Sequence, residues 1–180
     1  MLVLASESPR RAEILERAGI RFLARPARVD ETPLAGEKAE DYVRRVAEAK
    51  CIAVDGEVVL AADTVVVIDG KILGKPRDAA DARRMLELLS GRRHEVLTGI
   101  AIRRGGLLTT DVAVTAVWFA SLTPHEIADY VASGEPMDKA GAYAIQGLAS
   151  KFIERIDGCY TNVVGLPVAL VYRHLRSAGS

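Results

Sequence analysis

Cysteine is scarce in this chain: of 180 residues only Cys51 and Cys159 are cysteines, and their placement fits neither a zinc motif nor a redox pair. That argues against a disulfide-stapled scaffold and points to a reducing compartment. Histidine is nearly as sparse, with His94, His125 and His174 too scattered to form a ligand cluster. Charge of one sign is missing as well, since 24 Lys and Arg balance 24 Asp and Glu. No global field therefore draws the chain to nucleic acid or to an anionic membrane, although a small anion needs only a local cluster. No apolar run reaches the length that crosses a bilayer. Glu7, Arg10 and Arg11 interrupt the N-terminal apolar run, so a signal peptide is not expected and a cytoplasmic setting is. GxxxxGK[ST], GxGxxG and GxSxG are all absent. Covalent catalysis is therefore not suggested, and attack by a metal-assisted water fits better.

What is present describes an ordinary globular chain, 49% hydrophobic and 27% charged, long enough for a substantial core in a single domain over residues 1–180. Met1 to Ala5 read as a covered strand. Ser8 suits an N-cap and Pro9 the first helical position, and the helix should stop near Gly19. Its inner stripe is Ile14, Leu15 and Ala18, with Arg11 in line. A short strand is expected over 21–25, then a helix over 38–54 with Tyr42, Val46, Ala49 and Ala53 on one face. VVLAADTVVVI (58–68) is strand-like, and Asp69-Gly70 signals a hairpin into KIL. Asp78 can cap a helix with the stripe Ala82, Met85, Leu86 and Leu89, stopped by Gly91. Gly105-Gly106 joins a second hairpin, and Thr123 to Glu126 form a capping box for a helix reaching about Ser133. The stretch from Asp138 to Pro167 reads as irregular, followed by a C-terminal helix. Helices among strands and hairpins predict an α/β fold with a mixed sheet.

Five places carry candidate chemistry. Ser6-Glu7-Ser8-Pro9-Arg10-Arg11 puts hydroxyls and guanidinium groups beside free helix N–H groups, which suits an anion; a plain capped helix with solvated arginines is the other reading. Asp63 is the only charge in an eleven-residue apolar stretch, so it is partnered, metal-bound or at a strand end facing a cleft, with a structural Asp capping a bulge as the other reading; Thr64 adds a hydroxyl next to it. Asp30-Glu31 lies on a loop and could join Asp63 around Mg²⁺ or remain solvated surface. Lys50, late in the second helix where it could project from the face bearing Val43 and Val46, and Lys75, in GKPRD, could each hold a phosphate as a point charge. Gln146, in DKAGAYAIQG, offers a donor and an acceptor on one amide, a match for a nucleobase edge.

LASESPRR, RVDET, the helix ending in EAK, AADTVV, GKPRD, LSGRRHEVLTG, DKAGAYAIQG and NVVGLP occur in this order over nearly the whole chain. In that the chain resembles the Maf family of nucleotide pyrophosphatases. The resemblance implies a cytoplasmic homodimeric enzyme that uses Mg²⁺ or Mn²⁺ to split nucleoside triphosphates into monophosphate and pyrophosphate. It also implies a central cleft, a fold like that of inosine triphosphate pyrophosphatases, the clearing of non-standard nucleotides and a link to septum formation. By the same resemblance Ser6, Ser8, Arg10 and Arg11 match a phosphate-binding signature, and Glu31, Lys50 and Lys75 match positions lining the cleft. Asp63 matches the proton acceptor, while Glu31 and Asp63 remain the candidate metal ligands read from the residues; Arg10, Thr64 and Gln146 match a branch preferring dTTP and UTP. Glu7 and Ala144 stand where glycine is common in the family. A non-catalytic nucleotide sensor is the rival class, and the retained Asp63, Glu31 and lysines argue against it.

Overall fold

The computed structural model describes residues 1–177. Leu2–Ala5 form β1, buried from Val3 onward, and the chain passes directly into α1, Pro9–Arg17. Pro9 occupies the first turn, where a missing N–H costs nothing. Ser8 takes the N-cap position without a side-chain capping bond; its own N–H donates to Ser6 Oγ at 3.1 Å. Arg11, Ile14 and Leu15 are buried, but Ala18 is exposed, because the helix ends at Arg17 and Ala18 is already its C-cap. Gly19 follows with φ +69°, a conformation that costs other residues strain.

Phe22–Arg25 form β2, and Ala39–Ile52 form α2. The covered face of α2 is the one expected to carry Lys50, and only half of the Tyr42–Ala53 stripe is buried. Tyr42 and Val46 are buried, yet the stripe runs through Val43, Val46, Ala47 and Lys50, a regular i, i+3, i+4, i+7 set. Ala49 is half-buried and Ala53, past the helix end, is exposed. Val58–Ile68 form β3 over the whole expected span, and Asp69-Gly70, both at positive φ, turn it into β4, Lys71–Leu73. Asp78 caps α3, Ala79–Leu89, by accepting from Asp81 N at 2.8 Å, and its expected stripe is buried. Arg93–Arg104 and Leu107–Phe119 are the hairpin strands β5 and β6. Pro124–Ala132 form α4 behind a complete Thr123–Glu126 capping box.

A short 3₁₀ turn, Glu135–Asp138, leads into the stretch expected to be irregular, which holds two more, Ala140–Ala142 and Leu148–Phe152, and two further elements, β7 (Ile153–Asp157) and α5 (Tyr160–Val164). Val168–Ser177 form α6. The seven strands make one mixed sheet in the order β2-β1-β3-β5-β6-β7, with β4 on β3. β1 pairs parallel with β2 and β3, whereas β3–β4 and β6–β7 are antiparallel. The expected mixed α/β fold is borne out.

The chain divides into two compact units, and β3, β5 and β6 each contribute to both. The first unit contains Met1–Thr64, Leu97–Ala113 and residues 161–177. Its core joins Val3, Ala5, Ala47, Cys51, Val54, Val59, Ala61 and Ala101. Gly99 lets α2 come close to β5, since a Cβ there would overlap the backbone of Val43. The second unit contains Val65–Val96 and Val114–Tyr160. Its buried side chains include Met85, Leu86, Leu89, Ile127, Tyr130 and Phe152.

Candidate functional site

Asp63 sits inside β3 at 6% exposure, where an unpaired carboxylate would cost several kcal/mol. Its partner is Lys50, buried in the last turn of α2, whose Nζ donates to Asp63 Oδ1 at 2.8 Å. The same ammonium meets Glu31 Oε1 at 2.8 Å, so two carboxylates converge on one cation. Burial pushes the Asp63 carboxyl above the usual carboxylate range, against the pull of Lys50 and Arg11.

The loop that carries Glu31 is held in several places. Tyr42 Oη donates to the Glu31 carbonyl at 2.7 Å. Arg45 bonds the Glu37 carboxylate at 2.6 and 2.9 Å and the Thr32 carbonyl at 3.1 Å. Asp30 turns back on its own loop and accepts from Thr32 N at 2.9 Å, and hydrogen bonding from the Thr32 side chain, then from its backbone, lowers the Asp30 pKa. Of the acidic pair, Glu31 is the residue that reaches Lys50.

A second group surrounds Arg11, buried in the first turn of α1. Its Nε donates to the Gly165 carbonyl at 2.8 Å, Nη2 to Thr64 Oγ1 at 3.0 Å and Nη1 to Ser6 Oγ at 3.4 Å. Burial lowers the Arg11 pKa, and the negative charge of Asp63 opposes that shift. The hydroxyls of Thr64 and Thr98 share a hydrogen bond at 2.8 Å, and Thr98 donates to the Asn162 carbonyl at 3.4 Å. Ser6, Ser8 and Arg10 are half-buried around the start of α1. Glu7 pairs with Arg28 at 3.5 Å, so its charge is partly offset.

In the first unit, then, Glu31, Lys50 and Asp63 form one bonded group and Ser6, Ser8, Arg11 and Thr64 another. Lys75 and Gln146 belong to the second unit, and both are exposed. Lys75 follows β4 beside the buried Pro76. Gln146 occupies a turn closed by Gly147 N donating to the Ala144 carbonyl at 3.1 Å.

The profile described as Maf-like protein matches residues 1–178. The chain belongs to the Maf-like protein family. A protein named dTTP/UTP pyrophosphatase from Anaeromyxobacter sp. (strain Fw109-5) is 57% identical over 183 residues, covering 99% of this chain and 89% of that one. Another of that name from Citrifermentans bemidjiense is 51% identical over 187 residues, covering 99% and 96%. Among solved structures, the Staphylococcus aureus Ham1 protein aligns with a TM-score of 0.56 over 98% of both chains at 14% identity. At that identity the likeness is one of fold, and it bears out the expected architecture.

Four residues of this Maf-family chain have a place in the site that the sequence did not assign them. Thr98, Asn162 and Gly165 complete the surroundings of Arg11 and Thr64, and Tyr42 anchors Glu31. The available signals were faint: a threonine within an apolar strand, and a glycine closing NVVG that adopts φ +133°. Among the described residues no helix is long and apolar enough to cross a membrane.

Proposed function

We propose that the protein hydrolyses nucleoside triphosphates to the monophosphate and pyrophosphate, with dTTP and UTP preferred. The observation that carries this reading is the 51–57% identity, over nearly all of this chain, to relatives named dTTP/UTP pyrophosphatase. The geometry around Asp63 supports it. A buried carboxylate whose pKa is raised by burial and which is hydrogen-bonded to an ammonium is suited to take a proton from water. Asp63 accepts that proton as the water oxygen bonds to the α-phosphorus; the bond from the α-phosphorus to the bridging oxygen breaks, and pyrophosphate leaves.

Among the described residues no group of three or more His, Cys, Asp or Glu forms a closed metal cage. Glu31 and Asp63 instead stand together as two hard carboxylates, both meeting the Lys50 ammonium. That donor set suits Mg²⁺ or Mn²⁺, which takes one or two protein carboxylates and shares the rest of its shell with phosphate oxygens. Glu31 and Asp63 would hold the ion, and when bound it neutralises phosphate charge. Ser6, Ser8, Arg10 and the N–H groups opening α1 take the phosphates, with Lys50 and Lys75 as point charges. Arg11 belongs to the same signature and acts by fixing the Ser6 and Thr64 hydroxyls.

Gln146 selects the base. Uracil and thymine show a carbonyl acceptor next to an N3–H donor, which one glutamine amide satisfies. Cytosine reverses that pattern, so an amide of fixed orientation rejects it. Thr64 and Arg10 contribute to the same preference. A cytoplasmic homodimer, the clearing of non-standard nucleotides and a link to septum formation follow from the family resemblance and complete the proposal. The test is a panel of normal and modified nucleoside triphosphates with products resolved. Pyrophosphate release that is fastest with dTTP and UTP is expected. Orthophosphate as the first product, or equal rates with CTP and GTP, refutes the reading.

A further inference from the structure

Gln146 is an exposed side chain on a backbone pinned on both sides of it. Two residues before it, the amide of Ala144 donates to Tyr130 Oη at 3.0 Å. Two residues after it, the amide of Leu148 donates to Glu135 Oε1 at 3.1 Å. These anchors are themselves joined, because Tyr130 Oη donates to Glu135 Oε2 at 2.6 Å. One carboxylate and one phenol thus close a loop of hydrogen bonds around the turn that presents Gln146. The turn's own Gly147–Ala144 bond lies inside that loop.

The surroundings hold the clamp in place. Tyr130 comes from α4 and is 3% exposed, with its ring edge-to-face on Phe152 at 5.5 Å. Desolvation, followed by the Glu135 hydrogen bond, pushes the Tyr130 phenol above its ordinary pKa, so it remains a donor. Glu135 opens the 3₁₀ turn Glu135–Asp138 that follows α4. Gly147 is glycine for want of room: its φ of −104° suits any residue, but a Cβ would overlap the Glu135 carboxylate. The backbone beside Gln146 can approach Glu135 this closely only because that side chain is absent.

Discrimination between uracil and cytosine needs an amide whose orientation is fixed, and an exposed glutamine on a loose loop supplies none. We propose that Tyr130 and Glu135 are positioning residues for base selection, holding the Ala144–Leu148 turn so that the Gln146 amide meets the base in one orientation. This rests on the reading of Gln146 as the selecting residue. Neither side chain touches the base; each acts through the backbone on either side of Gln146.

The measurement is the ratio of kcat/KM for dTTP to that for CTP. A ratio is independent of the amount of active enzyme, so a variant that is merely less stable leaves it unchanged. Tyr130→Phe keeps the ring on Phe152 and removes only the hydroxyl; the ratio is expected to fall about tenfold, the effect of one lost buried hydrogen bond. Glu135→Ala is expected to lower it at least as far. Glu135→Gln, which keeps an acceptor for the Leu148 amide, restores part of the loss. Gln146→Ala runs in parallel. A flattened ratio in Gln146→Ala together with a wild-type ratio in both Tyr130→Phe and Glu135→Ala overturns the positioning role and leaves the reading of Gln146 intact. An unchanged ratio in Gln146→Ala, or no dTTP preference in the wild type, overturns both.

Discussion

Asp63 and Arg11 are both buried charges, yet they call for different experiments. Asp63→Asn keeps the size of the side chain and removes its basicity. Turnover is expected to fall by on the order of 10²-fold or more, the range of a lost general base, while nucleotide affinity changes far less. Near-normal turnover in a folded variant removes Asp63 from the role. Arg11 bonds Gly165, Thr64 and Ser6 from a buried position, so Arg11→Ala strips three acceptors of one donor group. A stability loss of roughly 3 kcal/mol or more is expected, together with a higher KM because Ser6 and Thr64 lose their anchor. An unchanged urea midpoint contradicts the buried network. At this scale the sequence was informative where a charge stood alone: Asp63 among apolar residues, Arg11 on an apolar stripe. It was silent on Thr98 and Asn162, whose roles arise from chain segments distant in sequence and brought together only by folding.

Elements with a strong period or a clear stop were legible in advance. β3 matches its expected span because an eleven-residue, mostly apolar stretch ends at Asp69-Gly70. α3 matches because Asp78, the Ala82–Leu89 stripe and Gly91 agree with one another. β7 was not legible, since a half-exposed strand such as IERID carries no apolar run and owes its existence to pairing with β6. On α2 two stripes compete, and the one through Val43, Val46 and Lys50 packs, with the Val43 backbone against Gly99 of β5. Gly99→Ala would force a Cβ onto the Val43 backbone, so α2 must shift. A loss of about 2–4 kcal/mol in urea unfolding is expected, with activity falling as Lys50 moves. A variant as stable as the parent contradicts this account of how α2 is seated.

For the molecule as a whole, acid stability depends on a group outside the proposed chemistry. His94 is 1% exposed, shares a hydrogen bond with Tyr143 Oη at 2.7 Å and stands edge-on to Phe119. Burial, then Arg93, pushes its pKa down to about 3. The unfolded chain takes up a proton near the ordinary value of 6.5, while the folded chain does not. The stability His94 contributes is therefore complete above pH 6.5 and is lost as pH falls toward 3, at up to about 1.4 kcal/mol per pH unit. His94→Gln should flatten the dependence of Tm on pH in that window; an unchanged slope means the imidazole is already protonated in the fold. The central claim concerns which phosphorus water attacks, and hydrolysis of dTTP in ¹⁸O-labelled water tests it directly. Attack at the α-phosphorus places the label in the thymidine monophosphate and leaves the pyrophosphate unlabelled. Label in the pyrophosphate, or in orthophosphate formed in its place, would contradict the account.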